Sequence, residues 1–317
     1  MRSTELRLVG FADPSDASAA VASAELAVPR VPSPDVLLGD PAVEAVIIAT
    51  PHATHGDLAR AALRAGRHVF VEKPLTITAD DARSVIATAA GTDRVLLVGH
   101  VTRLLPLVRL ALERVDAGEI GEPRAAWMIR HQPLRRQGWM ARRGDFGGLL
   151  HSPAVHNIDL ANRILGRPAW VSAVATGPLQ EGVEYPDVEA LLVTYDSGAI
   201  ASLAATVSDP LFGPGGTSLL RLVGTDGGLQ LDVATGSLDV RSGSGMDQVR
   251  MPIEGWGLDD ALDEELRSFA AAIHGRERPF VSPVDALHAV AVCEAADRSI
   301  ATGLPVDLGP LIDGGAP

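Results

Sequence analysis

Two short apolar runs with a helical stretch between them limit this chain more than anything else in it. Glu44-Ala45-Val46-Ile47-Ile48-Ala49 comes first and His68-Val69-Phe70-Val71 second, each of strand length. His55 to Gly66 lies between them, reads as a helix and ends on a glycine. Strand, helix and strand in that order make one crossover unit of a parallel sheet. In such sheets ligands sit beyond the carboxyl ends of the strands. Thr50-Pro51-His52 stands at one such end and Glu72-Lys73-Pro74 at its neighbour. Taken alone, Lys73 reads as a surface lysine after a strand that Pro74 stops.

The flanking stretches change that reading. Ala49-Thr50-Pro51-His52-Ala53-Thr54-His55, then Ala65-Gly66-Arg67-His68-Val69, then Glu72-Lys73-Pro74-Leu75 resemble the Gfo/Idh/MocA oxidoreductases, the glucose–fructose oxidoreductase and inositol dehydrogenase group. The resemblance runs from about Glu5 to the C-terminus. It implies that Lys73 lies beside the nicotinamide and the reacting carbon. It also implies that Thr50, Pro51, His52, His55 and Glu72 lie along the cofactor. His52-x-x-His55 has the spacing of a metal pair but no third ligand and no nearby glutamate base, so no metal is expected.

Leu6 to Phe11 alternates like a strand, stopped by Ala12-Asp13-Pro14. By resemblance it is the second strand of a dinucleotide-binding fold, and Asp13 holds the adenosine ribose hydroxyls. A carboxylate accepts from a diol and repels a 2′-phosphate. No arginine follows closely in sequence, so NAD is expected over NADP. By local sequence Asp13-Pro14 is a turn. The strand and G-x-G-x-x-G turn that open such folds are not found, and Gly213-Pro214-Gly215-Gly216 follows a Pro-flanked loop instead. Two explanations stand: a reading frame that begins late, with Met1-Arg2-Ser3 as the tail of a helix, or a variant with altered cofactor grip.

Further on, Ser15 to Leu26, Asp35 to Leu38 and Thr78 to Ala90 read as helices, the last capped by Thr78 and closed by Gly91. Arg94 to Gly99 is a strand, and Gly99-His100-Val101-Thr102-Arg103 follows at its carboxyl end. In the family this turn faces substrate, which makes His100 and Arg103 candidate contacts. Gly118-Glu119-Ile120-Gly121 resembles a domain boundary. Residues 1–120 are expected to bind NAD and 121–317 to bind substrate and form oligomers.

After the strand Arg124 to Arg130 come Trp139, a further candidate substrate contact, and Gly147-Gly148-Leu149-Leu150-His151-Ser152-Pro153-Ala154-Val155-His156-Asn157-Ile158-Asp159. This resembles the family's glycine-rich segment leading to a helix with Asp-x-x-x-His-x-x-Asp. His156 and Asp159 match, and Ser152 stands where the family has its aspartate. His156 is expected to accept the substrate proton near neutral pH. Lys73 is expected to hydrogen-bond the developing alkoxide or relay the proton. Asp159 is expected to orient His156 from one turn away. Ser152-Pro153 reads as an N-cap with proline at the first helical position, beside its candidate catalytic role.

Strands follow at 170–176, 188–195, 199–206, 219–224, 229–231 and 238–240, a largely antiparallel set, then helices at 259–274 and 284–302. The fold class expected is α/β: an incomplete Rossmann-type parallel sheet plus an α+β part with an open, largely antiparallel sheet. The net charge of −13 argues against nucleic acid. No run approaches a membrane span, no leader opens the chain, and the single cysteine, Cys293, fits a cytoplasmic protein. The activity implied is NAD-dependent hydride transfer at a secondary alcohol of a sugar, cyclitol or related polyol. By resemblance the protein is a homo-oligomer, dimer or tetramer, joined through its C-terminal sheet. The alternative is a catalytically silent binding or assembly subunit of the same fold.

Overall fold

The computed structural model describes residues 5–134, 136–208, 216–251 and 257–314. Helices α1 (Asp16–Leu26) and α2 (Pro34–Gly39) precede three parallel strands, β1 (Ala45–Ile48), β2 (His68–Glu72) and β3 (Leu96–Gly99), in that spatial order. Helices α3 (His55–Arg64) and α4 (Ala79–Ala90) are the crossovers. They cover the face to which Val69 and Val71 point, with Ala62, Leu63, Ala82 and Val85 buried there. Thr78 caps α4 by accepting from the Asp81 amide at 3.3 Å, as its sequence predicts. Phe70 and Leu97 point to the opposite face and pack against Phe269 of α8 (Leu258–Ile273). The Phe70 and Phe269 rings meet edge-on at 5.8 Å.

Helix α5 (Pro106–Asp116) leads to a second sheet. It comprises β4 (Pro123–His131), β5 (Pro168–Ala175), β6 (Val188–Tyr195), β7 (Ile200–Thr206), β8 (Thr217–Gly224), β9 (Gly228–Asp232), β10 (Ser237–Ser242), β11 (Gly245–Arg250) and β12 (Val306–Asp307). The order is β11-β10-β9-β8-β4-β7-β6-β5-β12. Every adjacent pair is antiparallel except β4 and β7. Strands β11 and β12 escaped sequence detection: β11 is exposed along nearly its whole length and β12 is two residues long, so neither shows alternation. Helices α6 (Arg143–Phe146), α7 (Val155–Leu165), α9 (Pro283–Thr302) and α10 (Gly309–Asp313) complete the chain. Helix α9 touches β5, α7, α4 and β3, so it joins the two sheets.

One face of the second sheet is covered by α7 and α9. The other carries Trp127, Ile129, Trp170, Val174, Leu192 and Ile200, all well exposed. Register puts them on one side: Trp127 pairs with Ser202, Ser202 with Leu192, and Ser172 with Leu192.

Residues 6–11 do not form the expected strand. Their one ladder contact among the described residues is the bridge between Phe11 and Arg30. A cavity of about 380 Å³ separates residues 5–12 from β1, which pairs only with β2 among the described residues. A strand needs a partner edge, and this stretch meets open space where its neighbour would lie. The expected helix tail at Met1-Arg2-Ser3 and the Gly213-Pro214-Gly215 loop lie outside the described residues. No described helix is long and apolar enough to cross a membrane.

Phe269 is fully buried and Leu304 is 65% exposed. Phe269→Ala should therefore cost about 3–5 kcal/mol of unfolding free energy. Leu304→Ala should change it by less than about 0.5 kcal/mol. Urea unfolding of the two variants checks the contrast.

Candidate active site

Strand β2 presents Lys73 at its carboxyl end, followed by a cis peptide to Pro74. Across the cleft Lys73 Nζ donates to the Ser152 carbonyl at 3.2 Å and lies 3.5 Å from Ser152 Oγ. Ser152 belongs to a π-helical turn, Leu150–Ala154, in which the Ala154 amide reaches back to the Leu149 carbonyl at 3.2 Å. Pro153 sits inside that turn and has no N–H to give to a tighter ladder. The expected cap at Ser152 is thus overturned: α7 begins at Val155, and the residue before it, Ala154, makes no side-chain cap. Gly147 opens the turn at φ +82°, and a Cβ there would lie 2.7 Å from that of His151, so only glycine fits.

Two imidazoles lie within reach of the charge of Lys73. His100 and His156 are both buried, with rings perpendicular and centroids 6.0 Å apart. Neither His100 nitrogen has a partner, nor does His156 Nδ1. Burial, reinforced by the charges of Lys73, His100 and Arg130, holds the His156 pKa well below its usual value. Burial therefore works against the proton uptake expected of His156. Its ring stays neutral and offers one donor and one acceptor.

Asp159 does not orient His156. It accepts both arms of the Arg103 guanidinium, Nε and Nη2, at 2.7 Å each. Arg103 Nη1 continues to Asp285 at 3.2 Å and to the Phe280 carbonyl at 3.3 Å. A planar fork matches a carboxylate better than one imidazole nitrogen does. Arg103, 5% exposed, is thus committed to structure and not offered to a substrate. His100 Nδ1, 3.8 Å from Asp159, is too far for a hydrogen bond.

The remaining candidates divide. Thr50 lines the cavity beside β1, and its hydroxyl pairs with that of Thr54 at 2.7 Å; Pro51 precedes the turn that His52 begins. His52 donates from Nδ1 to the Phe146 carbonyl at 2.6 Å and packs between Trp139 and Phe146, with centroids 5.3 and 5.0 Å away. His55 is wholly buried, its ring nitrogens facing the Pro74 and Thr50 carbonyls at 2.7 and 2.9 Å. Nδ1 of His52 and both ring nitrogens of His55 are thus held by backbone carbonyls. Trp139 serves that aromatic cluster at the edge of the cleft. Among the described residues no three metal-ligating side chains gather. Asp13 uses its carboxylate to accept from the Ser15 amide at 2.7 Å. Arg30, remote in sequence, donates to the Asp13 carbonyl at 2.7 Å, so the assumption that no arginine stands nearby fails in space.

Two groups escaped sequence reasoning. Arg130 is buried on β4 and donates to Gln132; burial lowers its pKa to about 10. Glu265 is buried on α8. The signal for Arg130 was a charge at an inward position of an alternating strand. Lys73 itself is pushed down to about 8 by burial, with Glu72's charge opposing and Arg130's charge assisting. Lys73 and the unpartnered nitrogens of His100 and His156 fit a nicotinamide and a hydroxylated ligand, both of which need hydrogen-bonding neighbours.

Comparison with known proteins agrees. Residues 1–100 match the model of the Gfo/Idh/MocA oxidoreductase family, described as an NAD-binding Rossmann fold, and residues 108–230 match the Gfo/Idh/MocA C-terminal domain. Scyllo-inositol 2-dehydrogenase (NAD(+)) of Bacillus subtilis is 30% identical over 95% of this chain and 89% of its own. The 1,5-anhydro-D-fructose reductase of Ensifer adhaerens is 30% identical over 88% of this chain and 84% of its own. A levoglucosan dehydrogenase solved with NADH and levoglucosan shares the fold, with TM-score 0.83, 23% identity, and 95% and 90% of the two chains covered.

Two outcomes follow from the geometry. Ser152→Asp places a carboxylate beside Nζ and should raise the Lys73 pKa by about one pH unit or more, read by lysine-selective NMR titration. Arg103→Met strands Asp159 in the interior and should cost about 3–5 kcal/mol in urea unfolding.

Proposed function

The chain belongs to the Gfo/Idh/MocA oxidoreductase family, and from that premise we propose that it moves hydride between NAD and a secondary carbinol carbon of a sugar, cyclitol or related polyol. One observation carries the reading. Lys73 Nζ reaches across to the Ser152 backbone at 3.2 Å, and its charge acts on two buried, partly unpartnered histidines. The reading places the cofactor in residues 1–120 and the substrate and subunit contacts in residues 121–317. A cytoplasmic setting accords with a single buried cysteine.

Bound NAD supplies the hydride acceptor in one direction and the donor in the other. Lys73 moves the proton. Above about pH 8 its amine accepts the hydroxyl proton, and below that its ammonium donates to the carbonyl oxygen. Ser152 aims Nζ without adding a countercharge, which is why the amine form is reached near neutrality. His100 and His156 hold neighbouring hydroxyls, each neutral ring donating through one nitrogen and accepting through the other.

The exposed apolar face of the second sheet supports a homo-oligomer. Trp127 and Ile129 lie at its centre, and a patch of this kind is ordinarily covered by another subunit.

Incubation with NAD⁺ and a panel of inositols and sugars, followed by NADH absorbance, tests the activity. Lys73→Met should lower kcat by about 10²–10⁴ while NADH fluorescence titration still shows binding; retained turnover defeats the role given to Lys73. In the native chain, kcat/KM for alcohol oxidation should rise through about pH 8 and that for ketone reduction should fall there. Trp127→Glu should reduce the sedimentation coefficient to that of a smaller assembly.

A further inference from the structure

Helix α8 presents Glu265 and Phe269 one turn apart on one face. Phe269 meets Phe70 at mid-strand, α8 packs against the turn that follows β3, and the charge of Glu72 acts on Glu265. Glu265 therefore lies over the carboxyl ends, above Glu72, which shares the Phe70 face of β2. Glu265 is 1% exposed, and neither carboxyl oxygen has a hydrogen-bond partner. Glu72 accepts from the Lys73 amide at 3.2 Å, and its carboxyl carbon stands where a Cβ on Gly99 would touch it at 3.4 Å. Helix α8 also packs against the 3₁₀ turn Val101–Leu104, which follows His100 and carries Arg103. Arg103 is already spent on Asp159 and Asp285.

Two carboxyls in one buried space cannot both ionise cheaply. Burial, with Glu72's charge adding, holds the Glu265 pKa up at about 9. Burial raises Glu72 as well, but Lys73 pulls it back. Burial therefore weighs against a charge on Glu265, while Lys73 favours one on Glu72.

We propose that this carboxyl pair distinguishes the two redox states of the cofactor: the positively charged oxidised ring draws the proton off Glu265 on binding, and the neutral reduced ring leaves it in place. The inference rests on the NAD-binding reading above and on the rule that ligands of parallel sheets lie at the carboxyl ends of strands. No hydrogen-bond donor has to be displaced, because Glu265 has none.

Calorimetric titration of the intact chain with NAD⁺ and with NADH, in buffers of different ionisation enthalpy near pH 8, counts the protons released. The native chain should release more with NAD⁺ than with NADH. Glu265→Gln should lose Glu265's share of that difference, while Lys73 contributes alike in both proteins. Between about pH 7 and 9, NAD⁺ affinity should rise more steeply in the native chain than in Glu265→Gln, by up to about tenfold per pH unit. Equal proton counts for the two cofactor forms in the native chain overturn the proposal without any variant. Equal counts in native chain and Glu265→Gln overturn the assignment to Glu265. A chain that binds neither form overturns the NAD-binding reading and this inference together.

Discussion

The bidentate pair between Arg103 and Asp159 is what the rest of the cleft leans on. It joins the turn after β3 to α7, two elements from different sheets, through charges almost wholly out of water. Such a pair gains little net stability over apolar packing, but breaking it strands a charge. Its value here is geometric. It fixes α7 against the first sheet, and α7 carries His156 while the π turn before it carries Ser152. Lys73 can meet Ser152 only if those two elements hold their distance.

Charge arrangement then decides the chemistry. Ser152 carries no charge and Asp159 is occupied by Arg103, so neither places a free carboxylate against Lys73. Glu72 is the anion that acts on the amine, and it does not fully offset burial. The result is a lysine whose pKa is lowered to about 8 and two histidines whose pKa values burial pushes down. The lysine, not an imidazole, is the group able to change charge near neutral pH.

Local signals were legible in the sequence, and long-range ones were not. The β1-α3-β2 unit, the Thr78 cap and the Gly91 stop depend on residues close in sequence, and all appear where expected. The partner of Asp159 was misassigned because i,i+3 spacing to His156 was visible and the guanidinium 56 residues away was not. Ser152-Pro153 looked like a helix start because a π turn has no short sequence signature. The His156 pKa depends on burial and on charges from β2 and β4, which no local window contains. Residues 6–11 had the alternation of a strand but meet no neighbouring edge.

Asp285 does two jobs at once. Its carboxylate accepts from the Ser282 amide and its own amide donates to Ser282 Oγ, each at 3.1 Å, closing the box that starts α9. The same Oδ2 also receives Arg103. Winding of the longest helix and anchoring of the turn behind the cleft are therefore one cooperative event. The helix that opens at Pro283 cannot fray at its start without loosening a loop encoded some 180 residues earlier, so local melting there would be felt at the turn that carries Arg103.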